Sequence, residues 1–168
     1  MKWVTRIGLL LLTLVAAAFV TGSLLPENHQ ASRMAVFSQP APDVYALVSD
    51  YKNYPAWWPD VSKVEVMVEA PNRTTFREYL SDGPVIMTVV ETEPPLRFVT
   101  KIDDADQPFG GTWTFEIAPL GGSRTRLTIT ERGEIYNPFF RVMARYVFGY
   151  TATMESFLHA AQLRLAPG

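Results

Sequence analysis

Residues 137–165 read NPFFRVMARYVFGYTATMESFLHAAQLRL, and how this stretch is read decides the fold. Asn137-Pro138 opens it with a capping residue and a proline at the first helical position, where the missing N–H costs nothing. No proline follows before Pro167. Phe139, Val142, Met143, Tyr146, Tyr150, Thr153, Phe157, Ala160 and Ala161 recur at helical spacing and form one wide apolar stripe, while Arg141, Arg145, Glu155 and Arg164 carry most of the charge. The spacing predicts one long helix, roughly 45 Å end to end at 1.5 Å per residue. A rod of that length exceeds the width of a small domain, so another layer must lie along it.

The preceding chain supplies that layer. Residues 32–39 alternate as a short strand closed by Pro40 and Pro42, and Val44, Leu47 and Val48 then return at helical spacing. A second short helix or turn runs through Tyr51, Tyr54, Trp57 and Trp58, the two tryptophans packing helices onto a sheet. From Val61 the period becomes two, with strands expected near Val64–Val68, Thr75–Leu80, Val85–Glu93, Leu96–Ile102, Thr112–Ala118 and Arg124–Glu134. Pro71-Asn72, Asp82-Gly83, Pro94-Pro95 and Gly121-Gly122 mark the reversals, and residues 103–111 read as a loop carrying Phe109. Successive hairpins imply an antiparallel sheet of about six to seven strands. The fold class is α+β: a curved sheet wrapped around a long C-terminal helix. A curved sheet and a straight rod do not touch along their whole length, and the apolar gap between them is the expected binding site.

The order of elements resembles a known family, as do the segments Asp50-Tyr51 through Trp57-Trp58-Pro59, Gly111-Thr112-Trp113-Thr114-Phe115, and Leu127-Thr128-Ile129-Thr130-Glu131 leading into Gly133-Glu134-Ile135-Tyr136-Asn137-Pro138. It is similar to the START-like, or SRPBCC, superfamily, and within it to the bacterial branch labelled polyketide cyclase/dehydrase and lipid transport, whose fold is called helix-grip. The resemblance covers about residues 31–165. It implies a cavity between sheet and helix for a hydrophobic ligand, on a scaffold that also houses hormone receptors, cyclases and oxygenase domains.

Ahead of the domain, no charged residue stands between Arg6 and Glu27, and residues 7–25 are apolar apart from Thr13, Thr21, Ser23 and the two glycines Gly8 and Gly22. Nineteen residues at 1.5 Å span about 28 Å, close to the hydrocarbon thickness of a bilayer. Two readings follow. The segment is an uncleaved anchor, with Lys2 and Arg6 on the cytoplasmic side and the rest in the periplasm of a bacterial inner membrane, or it is a signal cleaved near Ala16-Ala17-Ala18 and the domain is secreted. The expected division is a membrane segment over 1–26, a tether over 27–31 and the START-like domain over 32–168.

Composition narrows the chemistry. There are no cysteines, which excludes thiolate zinc sites and a cysteine nucleophile. Net charge is −2, and without Lys2 and Arg6 there are 13 basic against 17 acidic residues, a poor balance for nucleic acid. His29, in the expected tether, and His159, near the end of the long helix, form no ligand pair, so no metal is expected; no glycine-rich phosphate loop or nucleophile elbow appears, so no cofactor is expected either. Asn72-Arg73-Thr74 matches a glycosylation sequon that matters only in a eukaryotic source.

The remaining candidates are carboxylates and aromatics. Glu131 alternates in phase with Leu127 and Ile129, and Glu91 with Val85, Met87 and Val89. A carboxylate on an apolar face is a candidate acid or base. The alternative is an ion pair with Arg77, Arg97, Lys101, Arg126 or Arg132 on neighbouring strands. Trp113, Phe115, Tyr146 and Tyr150 fall on faces expected to point inward, with Met87 and Met154 as adaptable fillers, and Val89, Ile129 and Glu131 complete the expected ligand-binding set. Phe140, Val147 and Phe148 lie off the main stripe and either pack under loops or meet the bilayer, with Arg141 and Arg145 near lipid phosphates. Three functions stand in competition: a membrane-tethered binder of a lipid or other hydrophobic small molecule, a cyclase/dehydratase-type enzyme using Glu131, and a ligand-free domain with a solid core that acts through protein partners.

Overall fold

The computed structural model describes residues 2–70, 73–81 and 83–166. The turn signals at Pro71-Asn72 and Asp82, and Asn72 of the sequon, lie outside the described residues. Seven antiparallel strands form one open sheet: β1 (Asn28–Phe37), β2 (Val61–Ala70), β3 (Arg73–Leu80), β4 (Gly83–Glu93), β5 (Arg97–Ile102), β6 (Phe109–Gly121) and β7 (Arg124–Ile135), in the order β1-β7-β6-β5-β4-β3-β2. β2 to β7 follow one another as a meander, as the alternating pattern requires. β1 instead pairs with β7 across some hundred residues, from Asn28 opposite Glu134 to Phe37 opposite Thr125. It therefore begins at Asn28, within the expected tether, because the ladder continues beyond the alternation that is visible from Ser32 onward.

Helix α1 (Lys2–Leu24) precedes the sheet, α2 (Ala41–Ser49) and a 3₁₀ turn (Tyr51–Ala56) follow β1, and the C-terminal stretch comes last. That stretch is not one helix. It divides into α3 (Pro138–Met143), a π-helical turn (Ala144–Phe148) and α4 (Ala152–Arg164). Asn137 caps as expected, its side-chain oxygen accepting from the Phe139 N–H at 2.9 Å. The break falls at Gly149, whose φ of 75° and ψ of 176° no helix contains. The apolar period runs through residue 149 without interruption, but the backbone there takes a conformation open to glycine and strained for other residues.

Only α4 packs as the helix gripped by the sheet. Phe157, Met154 and Ala161 are fully buried on it, against a core that includes Val44 and Val48 of α2, Phe98 of β5 and Leu127 of β7. Polar contacts fix its position: Arg33 of β1 donates to Glu155 at 2.6 Å and to Thr151 at 3.0 Å, and the Trp58 indole N–H donates to Ser156 at 3.3 Å. α3 and the π-helical turn bury no residue, and they leave Tyr146 and Phe148 65% and 67% exposed.

α1 docks on α3. Gly22 is the buried residue of α1, and a Cβ there would run into the Pro138 carbonyl, so the approach depends on having no side chain. Arg141 clamps the same junction: it donates to the Ile135 and Tyr136 carbonyls at 2.6 and 3.0 Å and to the Glu27 carboxylate at 2.8 Å. It is thus turned into the protein rather than toward lipid phosphates. Arg145 stays at the surface, 5.9 Å from the Tyr146 ring centre.

Candidate functional site

Between α4 and the concave face of the sheet lies an inner cavity of about 190 Å³. Its walls follow from strand alternation: Phe76 and Glu78 face it from β3, Met87 from β4, Thr100 from β5, and Trp113 and Phe115 from β6. Trp58, held by the proline-rich turn, and Phe157 of α4 close it, with ring centres 5.0 Å apart. Phe109, Glu131 and Thr153 also border a larger outer cleft of about 600 Å³, whose far wall is built by Phe140 and Met143 of α3 and by Phe148. The two spaces therefore meet at these three residues, and the break in the C-terminal stretch is what separates their walls.

Glu78 is the notable polar group inside. It is 7% exposed, and its side chain makes no hydrogen bond or ion pair with the described residues. Its cross-strand neighbours are Val64 and Val85. Burial without a compensating charge pushes its carboxyl up to about 7. The Tyr54 phenol, which lines the same cavity, donates instead to the Val48 carbonyl at 2.5 Å, and burial raises it well above its usual value.

At the junction of cavity and cleft, Glu131 of β7 faces His29 of β1, Oε1 to Nε2 at 3.5 Å. The His29 ring stacks on Tyr150 with centres 4.1 Å apart, and its Nδ1 is buried without a hydrogen-bond partner among the described residues. Gly133 makes this arrangement possible, since a Cβ at that position would meet the His29 ring. The partner of Glu131 is thus a histidine expected to lie in the tether, not one of the five basic residues considered from the sequence. Glu91 does take an arginine, Arg97, at 2.8 Å, and a register shift between Val89 and Glu91 carries it to an exposed position.

Of the expected ligand-binding set, Met87, Trp113, Phe115 and Glu131 line the inner cavity, and Tyr150 lines the cleft. Val89, Ile129 and Met154 pack in the core without bordering either space. Tyr146 points to solvent, because the π-helical turn rotates it out of the stripe that a continuous helix would maintain. Sequence reasoning missed Glu78, although Phe76, Glu78 and Leu80 alternate on one face of β3. It missed His29, which only the β1–β7 register places. Phe109, expected on a loop, begins β6. Among the described residues no group of three or more histidine and carboxylate side chains is placed to hold a metal ion.

The sequence matches the family model described as polyketide cyclase/dehydrase and lipid transport over residues 29–162. The chain belongs to this family. Membership of the family suggests hydrophobic-ligand binding or a cyclase/dehydrase-type function. Among solved structures, the fold is shared with a START superfamily protein from Mycobacterium smegmatis, at 20% identity and a TM-score of 0.65, over 82% of this chain and 97% of that one. It is also shared with the Zhui aromatase/cyclase from Streptomyces sp. R1128, at 13% identity and a TM-score of 0.66, over 82% and 93% of the two chains. A hypothetical protein from Helicobacter pylori aligns with a TM-score of 0.70 at 12% identity, over 82% and 88%. At these identities the likeness concerns the fold alone. No protein of curated function matches the sequence.

Proposed function

We propose that this family member is a membrane-tethered, extracytoplasmic domain that encloses a lipid or other hydrophobic small molecule in the inner cavity and exchanges it through the outer cleft. In this reading α1 stays as an anchor in a bacterial inner membrane, with Lys2 and Arg6 on the cytoplasmic side. α1 is the one helix among the described residues long and apolar enough to cross a membrane, a property that signal sequences share. The observation that carries the proposal is the continuity from an aromatic cavity, past Glu131, to a cleft walled by the same α3 against which α1 packs. A guest leaving the bilayer next to α1 meets the cleft first. Burying about 200 Å² of its apolar surface at about 25 cal/mol per Å² supplies about 5 kcal/mol without bond chemistry. Native mass spectrometry of the chain extracted with its membrane should show a co-purified apolar mass. Protein that arrives empty and takes up no fluorescent acyl probe would overturn the reading.

A second reading has one observation in its favour, the contact between Glu131 and His29 at the cavity mouth. There the carboxylate would act as acid or base in a cyclase/dehydrase-type reaction, with His29 positioning it. Glu131→Gln would then abolish turnover of a polyketide-like substrate while near-UV circular dichroism stays unchanged, and a fully active variant would remove the assignment. The inner cavity of about 190 Å³ favours these two readings over a ligand-free interaction domain with a solid core.

A further inference from the structure

Among the described residues, neither the inner cavity nor the outer cleft is lined by lysine or arginine, whereas Glu78, Glu131 and Glu134 border them. Glu134 is engaged by the Tyr136 hydroxyl at 3.0 Å, and Glu131 by His29. Glu78 has no such partner among the described residues, is more than nine-tenths buried, and borders the cavity that Trp58, Trp113 and Phe157 also line. Packing alone does not account for it. Its carboxyl oxygens open on the cavity rather than being sealed in protein, and its cross-strand neighbours are valines, so a charge to match it must come from what the cavity holds.

In the inner cavity an anionic guest, such as a fatty-acid carboxylate, would meet Glu78 and Glu131 and no lysine, arginine or histidine among the described residues. A neutral guest would leave Glu78 without a charge to balance it. An ammonium group answers both features at once: it pairs with the carboxylate, and it lies among electron-rich ring faces that attract cations when water is excluded.

Building on the hydrophobic-ligand reading, we propose that the guest is a lipophilic amine, its ammonium group paired with Glu78 and its apolar body held by Trp113, Phe115 and Phe157. Glu131, at the mouth, gives the same field to an entering cation and disfavours an entering carboxylate.

The test uses three probes that share one body and differ in the head group: octylamine, octanol and octanoate. Each is titrated by calorimetry at neutral pH into the full chain in lipid nanodiscs, with empty nanodiscs titrated in parallel. Octylamine should bind at least about tenfold more tightly than octanol, and octanoate more weakly than either. Glu78→Gln should remove most of the preference for the amine over the alcohol, chiefly by weakening octylamine. Glu131→Gln should narrow the gap between amine and carboxylate, and should reduce the preference for amine over alcohol less than Glu78→Gln does. Octanoate binding as tightly as octylamine, or an amine-to-alcohol ratio unchanged in Glu78→Gln, would overturn the amine assignment while leaving hydrophobic binding intact. If none of the three is taken up, hydrophobic binding itself falls and the amine assignment with it. Should Glu78→Gln fail to fold, the order of the three probes on the unmodified chain decides by itself.

Discussion

The two halves of the C-terminal stretch are both rich in apolar side chains, yet the fold treats them oppositely. Residues 152–164 bury five side chains against the sheet, whereas residues 138–148 bury none and expose Phe140, Tyr146, Val147 and Phe148. Composition does not distinguish them. What does is Gly149, which ends the helical path and lets each half choose its own neighbour: the sheet for α4, and α1 and the outer cleft for α3. An apolar helix face states how much surface needs cover, not which partner supplies it.

The sharpest way to break this contrast is to truncate one aromatic in each half. Phe157→Ala, in the half packed on the sheet, should cost about 3–5 kcal/mol in denaturant unfolding, because it removes a fully buried ring that neighbours five other aromatics. Phe148→Ala, on a 67% exposed side chain, should stay within about 0.5 kcal/mol. It should instead weaken capture of the domain by lipid vesicles when α1 is removed, if that surface meets the bilayer. Equal destabilisation by the two substitutions would erase the distinction.

Glu78 tests the cavity side through pH. Its folded-state value of about 7 lies above the ordinary 4.5, so the folded protein holds this proton more tightly than the unfolded chain does. Stability should therefore fall as pH rises from about 4.5 to about 7 and level off above that, the full loss from this group being about 3 kcal/mol. Glu78→Gln should match the parent near pH 4 and exceed it by up to that amount at pH 8, as read from urea midpoints. A variant whose advantage does not grow with pH would show that Glu78 finds a partner in solution.

Gly149→Ala addresses the hinge itself. A Cβ at φ 75° and ψ 176° should cost about 1–3 kcal/mol, with the loss appearing as faster hydrogen exchange in residues 144–153 rather than as global unfolding. A modest effect is expected at the opening of α3, where Asn137→Ala removes one capping bond and costs about 1 kcal/mol.

These residues also show what a sequence conveys and where it falls silent. Alternation in β6 placed Trp113 and Phe115 on the cavity wall, and alternation in β7 placed Glu131 beside them, because a period of two is a local property that needs no knowledge of neighbours. The N-terminal apolar run and the Asn137 cap were legible for the same reason. His29 was not, since its position depends on a ladder joining Asn28–Gln30 to Arg132–Glu134, a pairing with no local mark. Tyr146 misled because the expected stripe presumed 3.6 residues per turn through a segment that widens to a π-turn. Glu78 was readable in principle, as a carboxylate in phase with Phe76 and Leu80. What makes it informative is that it has no hydrogen-bond or ion-pair partner among the described residues, which is visible only with the surrounding strands in place.

Arg141 joins three pieces of chain at one point: the segment leaving α1 through Glu27, the end of β7, and the start of α3. With so short and so well-fastened a connection, an embedded α1 leaves the domain no leash on which to swing. It would sit at one fixed tilt over the lipid surface, like a lamp bolted to its bracket, and loosening that guanidinium would set the tilt free.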